Sequence, residues 1–178
     1  MKPLPETTLK FRATVDRPWA DMEPIRVGDV PAGCGTPARY VTVEQDKRPL
    51  ARIDVYRAKE AEAFPFEDAR VWGAYIVIGF GHRAFLVDIE NRCASTFELG
   101  EYFGHAYSCD SCLLIASAER LFRVDPDGKL KWESDVLGID GVVVEKVSDE
   151  LIEGQGEWDP PGGWRPFRIE LESGKPAL

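Results

Sequence analysis

Three segments of the chain share one pattern that recurs about every 37 residues. Each begins with an apolar strand ending in a small residue, continues through a tight turn, and returns as Phe-x-Val/Ile-Asp/Glu. The small residues are Gly79, Ala116 and Gly154, which are 37 and 38 residues apart. A fixed spacing of this kind indicates one supersecondary unit that is repeated along the chain. The sequence therefore predicts about three similar β units between residues 68 and 178.

Short apolar segments separated by Gly, Asp, Pro and Ser occur along the whole chain, as is typical of strands joined by turns. Only the stretch Arg57 to Phe64 has a helix-forming composition. The first 67 residues are rich in Pro and Gly, so we expect an irregular segment with two or three strands there. With 178 residues the chain is expected to form a single domain, 1–178, with an N-terminal part (1–67) and a repeat region (68–178).

The repeat unit contains four short antiparallel strands, and its second copy has a clear turn at Asp125-Pro-Asp-Gly128. Such a unit resembles the blade of a β-propeller of the WD40 or quinoprotein type. The resemblance implies an all-β fold: an antiparallel meander of about three propeller-like four-stranded repeats plus an irregular N-terminal β segment. Three blades do not readily close a ring, so the N-terminal part would supply a fourth unit. The alternative is a two-sheet β-sandwich.

The third copy of the repeat differs from the other two by an insertion. The small residue and the following Phe are six residues apart in the first two copies, but Gly154 and Phe167 are thirteen apart. The seven surplus residues equal the length of the segment from Trp158 to Trp164, "WDPPGGW". A hairpin turn needs only two to five residues, so this segment predicts a stiff inserted loop. Two alternatives follow for its tryptophans. They face outward and form an interface hot spot together with Arg165, or they fold back and cap an open end of the sheet.

Charge excludes some classes of partner. The net charge is -9, and the residues from Glu133 onward contribute eleven acids against four bases. Binding to a nucleic-acid backbone requires clustered Lys and Arg, so we expect no nucleic-acid partner. The longest apolar stretch is too short for a membrane span, and the first ten residues have no apolar core of a secretion signal. We therefore expect a cytoplasmic protein with a basic protein partner.

The spacing Cys109-Asp-Ser-Cys112, preceded by His105, is typical of zinc ligands. A structural zinc site needs a fourth ligand, which Cys93 or His82 would have to supply. The repeat instead places Cys112 at the start of a core strand. We therefore predict reduced thiols and no metal.

Catalytic patterns are also missing from the sequence. His82 lies in a glycine-containing turn, and no Ser or Cys nucleophile forms a recognisable triad with it. Glu157 and Asp159 are two residues apart on one loop, so they cannot flank a glycosidic bond from opposite faces. The sequence contains no phosphate-binding glycine loop, dinucleotide fingerprint or complete calcium loop. We predict no catalytic residue and no cofactor.

The chain is similar in sequence pattern to a group of small bacterial proteins, through the residues "VWG…GFGHRAFLVD…DGVVV…GEWDPPGGWRPFRIEL". As a class, these proteins resemble the immunity proteins that neutralise secreted bacterial toxins. The resemblance implies a non-catalytic protein-binding module whose partner is a basic protein, in its sharpest form a cognate toxin. One alternative is a small-molecule-binding protein or hydrolase near His82 and the acids of the third repeat. Another is a structural subunit that self-associates as a homodimer. The predicted partner-binding residues are Glu153, Glu157, Trp158, Asp159, Trp164 and Arg165.

Overall fold

The computed structural model describes residues 6–57 and 66–177, and these residues form fifteen strands and one short 3-10 helix, Trp19–Asp21. The chain is therefore all-β, as predicted. The strands are β1 (Thr7–Arg12), β2 (Ile25–Val27), β3 (Arg39–Gln45), β4 (Arg48–Val55), β5 (Glu67–Trp72), β6 (Tyr75–Phe80), β7 (Arg83–Asp88), β8 (Cys93–Glu98), β9 (Phe103–Ser108), β10 (Leu113–Ser117), β11 (Leu121–Val124), β12 (Leu130–Glu133), β13 (Val142–Val147), β14 (Leu151–Glu157) and β15 (Trp164–Glu170).

The strands of the described residues form four separate sheets. The N-terminal sheet has the order β1-β3-β4-β2, and β2 runs parallel to β4. The next two sheets, β5 to β8 and β9 to β12, are four-stranded with neighbouring strands consecutive in sequence, and the last sheet contains β13, β14 and β15. The three sheets formed by β5 to β15 confirm the predicted antiparallel meander.

The repeat inferred from the sequence corresponds to the same place in each meander. Gly79, Ala116 and Gly154 all lie in the second strand, β6, β10 and β14 respectively. The Phe that follows each of them lies in the third strand, β7, β11 or β15. The third copy has no full fourth strand among the described residues; a single bridge between Ile169 and Pro176 follows β15 instead.

The N-terminal part is more regular than expected. It contains four strands instead of two or three, and β2, with its parallel pairing, was not predicted. The predicted four-stranded unit implied β5 and β9, but their bounds were not predicted, because neither has a run of consecutive apolar residues as continuous as that of the core strands. The predicted helix-forming stretch lies outside the described residues except for Arg57. Within the part of the chain that is described, no helix has the length and apolar character needed to cross a membrane.

The chain divides by its internal contacts into two compact units. The first contains β1 to β4, the second contains the described chain from Phe97 onward, and β5 to β8 contribute residues to each. The prediction of a single domain stays a prediction.

A cluster of buried side chains from the β9–β12 and β13–β15 sheets forms a core in the second unit. Its members are Cys112, Leu114, Ala116, Leu121, Leu137, Val142, Val144, Ile152, Ile169 and Leu171.

Candidate functional site

The inserted segment of the third repeat lengthens a hairpin as well as its loop. Strands β14 and β15 pair along their full length, and their last pair is Glu157 with Trp164. The connection is therefore residues 158–163, and the prediction that Trp164 belongs to the loop is wrong. Pro160 and Pro161 lack the N–H groups that would continue the ladder. The loop is closed instead by the Trp158 N–H, which donates to the Gly163 carbonyl at 3.0 Å.

The two tryptophans of this hairpin have different environments. Trp164 remains 40% exposed, and its ring edge lies over Gly141. Trp158 is half-buried, and the guanidinium carbon of Arg165 lies 5.8 Å from the centre of its ring, within the range of a cation–π contact. Trp164 is therefore the tryptophan that offers an open aromatic surface beside the hairpin.

Trp164 forms part of a groove of about 590 Å³ within the second unit. The lining is mostly apolar and combines side chains of the β9–β12 sheet, the β13–β15 sheet and the segments next to them. Because aromatic rings and two carboxylates dominate its wall, we call this site the acid–aromatic groove. Its chemically distinctive residues are Phe66, Tyr102, His105, Asp140, Glu157 and Trp164.

A close backbone approach builds one wall of the acid–aromatic groove. Gly156 has no side chain, and a Cβ atom there would overlap the carbonyl group of Leu137. The chain after Leu137 can therefore run against the end of β14, where the Ile139 N–H donates to the Glu157 carbonyl at 2.7 Å. The Glu157 N–H in turn donates to the Gly141 carbonyl at 2.9 Å. This arrangement brings Asp140 to the groove.

The aromatic residues of the groove are in contact with one another. The ring of Phe66 lies 5.3 Å from that of His105 and 6.3 Å from that of Tyr102, measured between centroids. Phe66 is 44% exposed. These distances are typical of tilted aromatic pairs, which hold their rings in a preferred geometry. Together with Trp164, the three rings offer a surface that is both apolar and open to solvent.

The two acids of the groove are held by local hydrogen bonds. Tyr102 Oη donates to Asp140, with Oη lying 2.9 Å from the carboxylate Oδ1 and 2.5 Å from the carbonyl oxygen. Glu157 Oε1 accepts the N–H of Gly162 at 2.6 Å. A Cβ atom at Gly141 would lie 3.7 Å from Glu157 Oε2. Glu157 therefore connects the loop of the hairpin to the floor of the groove.

The Tyr102 hydroxyl provides a spectroscopic test of this arrangement. Partial burial, the hydrogen bond to Asp140 and the nearby negative charges raise the pKa of Tyr102 to about 12. Tyr102 stays neutral in the folded chain above the usual tyrosine pKa of about 10. Its contribution to stability is therefore fully present below pH ~10 and is lost as the pH rises through about 12.

We expect the difference in phenolate absorbance between the unaltered chain and Tyr102→Phe to titrate near pH 12. In Asp140→Asn the same transition should move to lower pH, because the negative charge that opposes ionisation is removed. Circular dichroism at each pH would verify that the chain stays folded. A Tyr102 transition near pH ~10 in the unaltered protein would contradict the contact with Asp140.

The other predicted partner-binding residues are not part of the groove lining. Glu153 lies four residues before Glu157 on β14, where it pairs with Arg168 at 3.5 Å and with Lys146 at 3.9 Å. Asp159 is exposed in the loop, and its carbonyl accepts the Gly163 N–H at 2.9 Å. The structure therefore brings Glu157 and Trp164 together in the groove. It places Trp158 in the loop with Arg165 against its ring, and Glu153 elsewhere on the same hairpin.

The histidines and cysteines singled out in the sequence lie at different places. His105 faces the acid–aromatic groove, whereas Cys109 and Cys112 flank the turn between β9 and β10. In the described part of the chain, no three His, Cys, Asp or Glu side chains are grouped so that they could hold a metal ion. His82 lies in the turn between β6 and β7, where its carbonyl accepts the Leu99 N–H at 3.0 Å. His105, and not His82, is thus the histidine that lines the groove.

Sequence reasoning did not identify Phe66, Tyr102 or Asp140 as members of the site. They come from three connecting segments that lie far apart in sequence and that only the tertiary structure brings together. No local motif marks them. The one signal was "GIDG" at 138–141, in which two glycines surround an acid immediately before a strand.

The sequence was compared with models of protein families and with curated proteins. No family model matches it, and none of the curated proteins shows significant similarity. The antiparallel meanders are compatible with blade-like hairpins. The likeness to propeller blades and to immunity proteins therefore remains a resemblance of sequence pattern.

Proposed function

We propose that the chain is a non-catalytic binding module that docks a basic protein through the acid–aromatic groove and the adjoining β14–β15 hairpin. The observation that carries this proposal is the pairing of exposed aromatic rings with two carboxylates in one open groove. Trp164 and Phe66 keep 40% and 44% of their surfaces exposed, and Asp140 and Glu157 lie at the same wall. Exposed large apolar residues next to acids are characteristic of interaction sites.

The chemistry of the groove favours a cationic side chain. A Lys or Arg group placed over an aromatic ring is attracted by the negative face of the ring. The same group forms strong charge-assisted hydrogen bonds with carboxylates. Since one Glu157 oxygen binds the Gly162 N–H and the other lies near the groove floor, the carboxylate has a fixed orientation toward such a ligand.

The overall charge supports the same type of partner. The chain has a net charge of -9 at pH 7. A negative field of this kind accelerates the approach of a basic protein and disfavours acidic ones, whereas the aromatic contacts supply most of the affinity. In the most specific form of the proposal, the partner is a bacterial toxin. The chain covers the active site of this toxin, and binding occurs in the cytoplasm.

The test begins with a tagged copy isolated from its native host, from which a co-purifying basic protein is identified and purified. We expect the double variant Trp158→Ala, Trp164→Ala to lose about 100-fold or more in affinity for this partner by calorimetry, because both aromatic surfaces are removed. The association rate of the unaltered chain should fall as salt is added, since salt screens charge attraction.

The matched control is Trp19→Ala, which removes the same type of side chain from the N-terminal unit and should leave the affinity unchanged. Cooperative thermal unfolding of each variant would show that the fold is retained. If the double tryptophan variant binds the partner as tightly as the unaltered chain, the proposal is wrong. If the variant no longer unfolds cooperatively, the tryptophans have a structural role and the assignment of the surface fails.

A second candidate is a small-molecule-binding protein, and the size of the groove favours it. Its volume of about 590 Å³ is typical of ligand sites, and His105 adds a titratable group to the two acids. This candidate predicts that a small organic cation changes the tryptophan fluorescence of the unaltered chain but not of Trp164→Ala. If a protein partner binds equally well when that cation saturates the groove, the groove is a small-molecule site and not the docking surface for the protein.

A further inference from the structure

The pair Cys109 and Cys112 is not explained by the binding function and has a distinctive geometry. The two residues flank the turn between β9 and β10, whose register pairs Ser108 with Leu113. The Cys109 N–H donates to the Cys112 carbonyl at 2.9 Å, so the two residues lie directly opposite each other. Opposed residues of this kind have Cα atoms about 5.5 Å apart, which is within the range that a disulfide spans.

The two thiols influence each other's ionisation. The Cys109 S–H donates a hydrogen bond to the sulfur of Cys112, which lowers the pKa of Cys112 to about 7 with further help from Arg123. The same hydrogen bond, together with partial burial, raises the pKa of Cys109. The pair therefore loses its first proton near neutral pH, and the remaining proton stays on Cys109. This is the state that favours thiol–disulfide exchange near neutral pH.

Only one of the two residues is accessible from outside. Cys109 is half-buried and lines an open cavity of about 380 Å³ together with Asp110, Ser111 and Lys146. Cys112 is fully buried in the core cluster. Of the two residues, Cys109 is therefore the one that a small oxidant can approach, whereas Cys112 is enclosed by the core.

We propose that Cys109 and Cys112 form a redox-active dithiol that is converted to an internal disulfide by exchange with low-molecular-weight disulfides of the glutathione type. When the remaining proton moves from Cys109 to Cys112, the Cys109 thiolate attacks one sulfur of the small disulfide. The S–S bond breaks, one small thiol leaves, and a mixed disulfide forms on Cys109.

The second step uses the buried residue. Cys112 gives up its proton and attacks the sulfur of Cys109, which displaces the second small thiol and closes the Cys109–Cys112 bond. In total, the protein loses two electrons and two protons, and the small disulfide gains them as two thiols. This inference does not depend on the proposed partner, so either can fail without the other.

The test uses the full chain with Cys34→Ser and Cys93→Ser, because these two exposed thiols would otherwise react as well. After incubation with oxidised glutathione, we expect mass spectrometry to show the loss of two hydrogen atoms without a bound glutathione. Peptide mapping should place the new bond between Cys109 and Cys112. Reduced glutathione in excess should restore both thiols.

Two further variants in the same background separate the roles of the cysteines. Cys112→Ala should retain one glutathione on Cys109, because the second step is no longer available. Cys109→Ser should remain unmodified, because Cys112 is buried. If Cys112→Ala fails to fold, the background protein and Cys109→Ser still test the proposal. Two free thiols after equilibration, or a stable glutathione adduct in the background protein, would overturn it.

Discussion

Replacement of Gly154 by alanine is expected to lower the free energy of unfolding by about 3 kcal/mol, at the upper end of the usual penalty for overpacking. A Cβ atom at this position would overlap the carbonyl oxygen of Val143 on the neighbouring strand and would lie 2.6 Å from the ring of Phe167. The backbone of β13 cannot move away without breaking its hydrogen bonds with β14. The strain therefore cannot be relieved by a change of side-chain rotamer alone.

Gly79→Ala should have an effect of similar size for a related reason. A Cβ atom at this position would lie 2.2 Å from the ring of Phe103, which is completely buried. Urea denaturation monitored by circular dichroism would give the change in stability of both variants.

Gly33→Ala is the matched control. A Cβ atom at Gly33 meets no other atom within 4 Å, and the backbone there is not in the left-handed region. We expect this variant to be neutral or slightly stabilised, because alanine restricts the unfolded chain more than glycine does. Equal denaturation midpoints for Gly154→Ala, Gly79→Ala and Gly33→Ala would show that the small residues of the repeat are not required by packing.

These glycines explain why the repeat was visible in the sequence. The second strand of each meander is covered closely: Gly79 by Phe103, and Gly154 by the Val143 carbonyl and Phe167. Ala116 at the equivalent place is completely buried. Only a small side chain fits at these positions, so the small residue recurs with the spacing of the unit. Close packing left a periodic signal that could be read without the structure.

Other parts of the fold left no such signal. Strand β2 has only three residues and pairs in parallel with β4, so its formation depends on a partner distant in sequence. Strand β9 contains a glycine and a histidine, and its exposed and buried positions do not alternate strictly. For both, tertiary contacts decide the conformation, and local propensity gives little guidance.

The candidate site shows the same division. Trp164 and Glu157 were identified because an insertion stands out against a repeat. Tyr102 and Asp140 were not, because the hydrogen bond that brings them together joins residues 38 positions apart. Even at the hairpin, counting residues gave the length of the insertion but not its structure. Cross-strand pairing up to Glu157 and Trp164 turned part of the predicted loop into strand.

Gly141→Val is expected to lower the affinity for the basic partner by about 100-fold or more. A Cβ atom at Gly141 would lie 3.0 Å from Trp164 Cη2 and 3.7 Å from Glu157 Oε2, so the valine side chain occupies the groove floor between these groups. The substitution removes no group that would contact the partner. Valine also suits a residue that directly precedes strand β13.

The matched control for this experiment is Asp159→Asn, at the exposed loop of the hairpin. It removes one negative charge outside the groove, so it should slow association slightly and leave the dissociation rate unchanged. Surface plasmon resonance with the purified partner measures both rates. If Gly141→Val retains full affinity whereas Asp159→Asn loses it, the loop is the docking element and the groove is not. A large loss confined to Gly141→Val places the cationic group of the partner between Trp164 and Glu157, because only a group in that space competes with the added side chain.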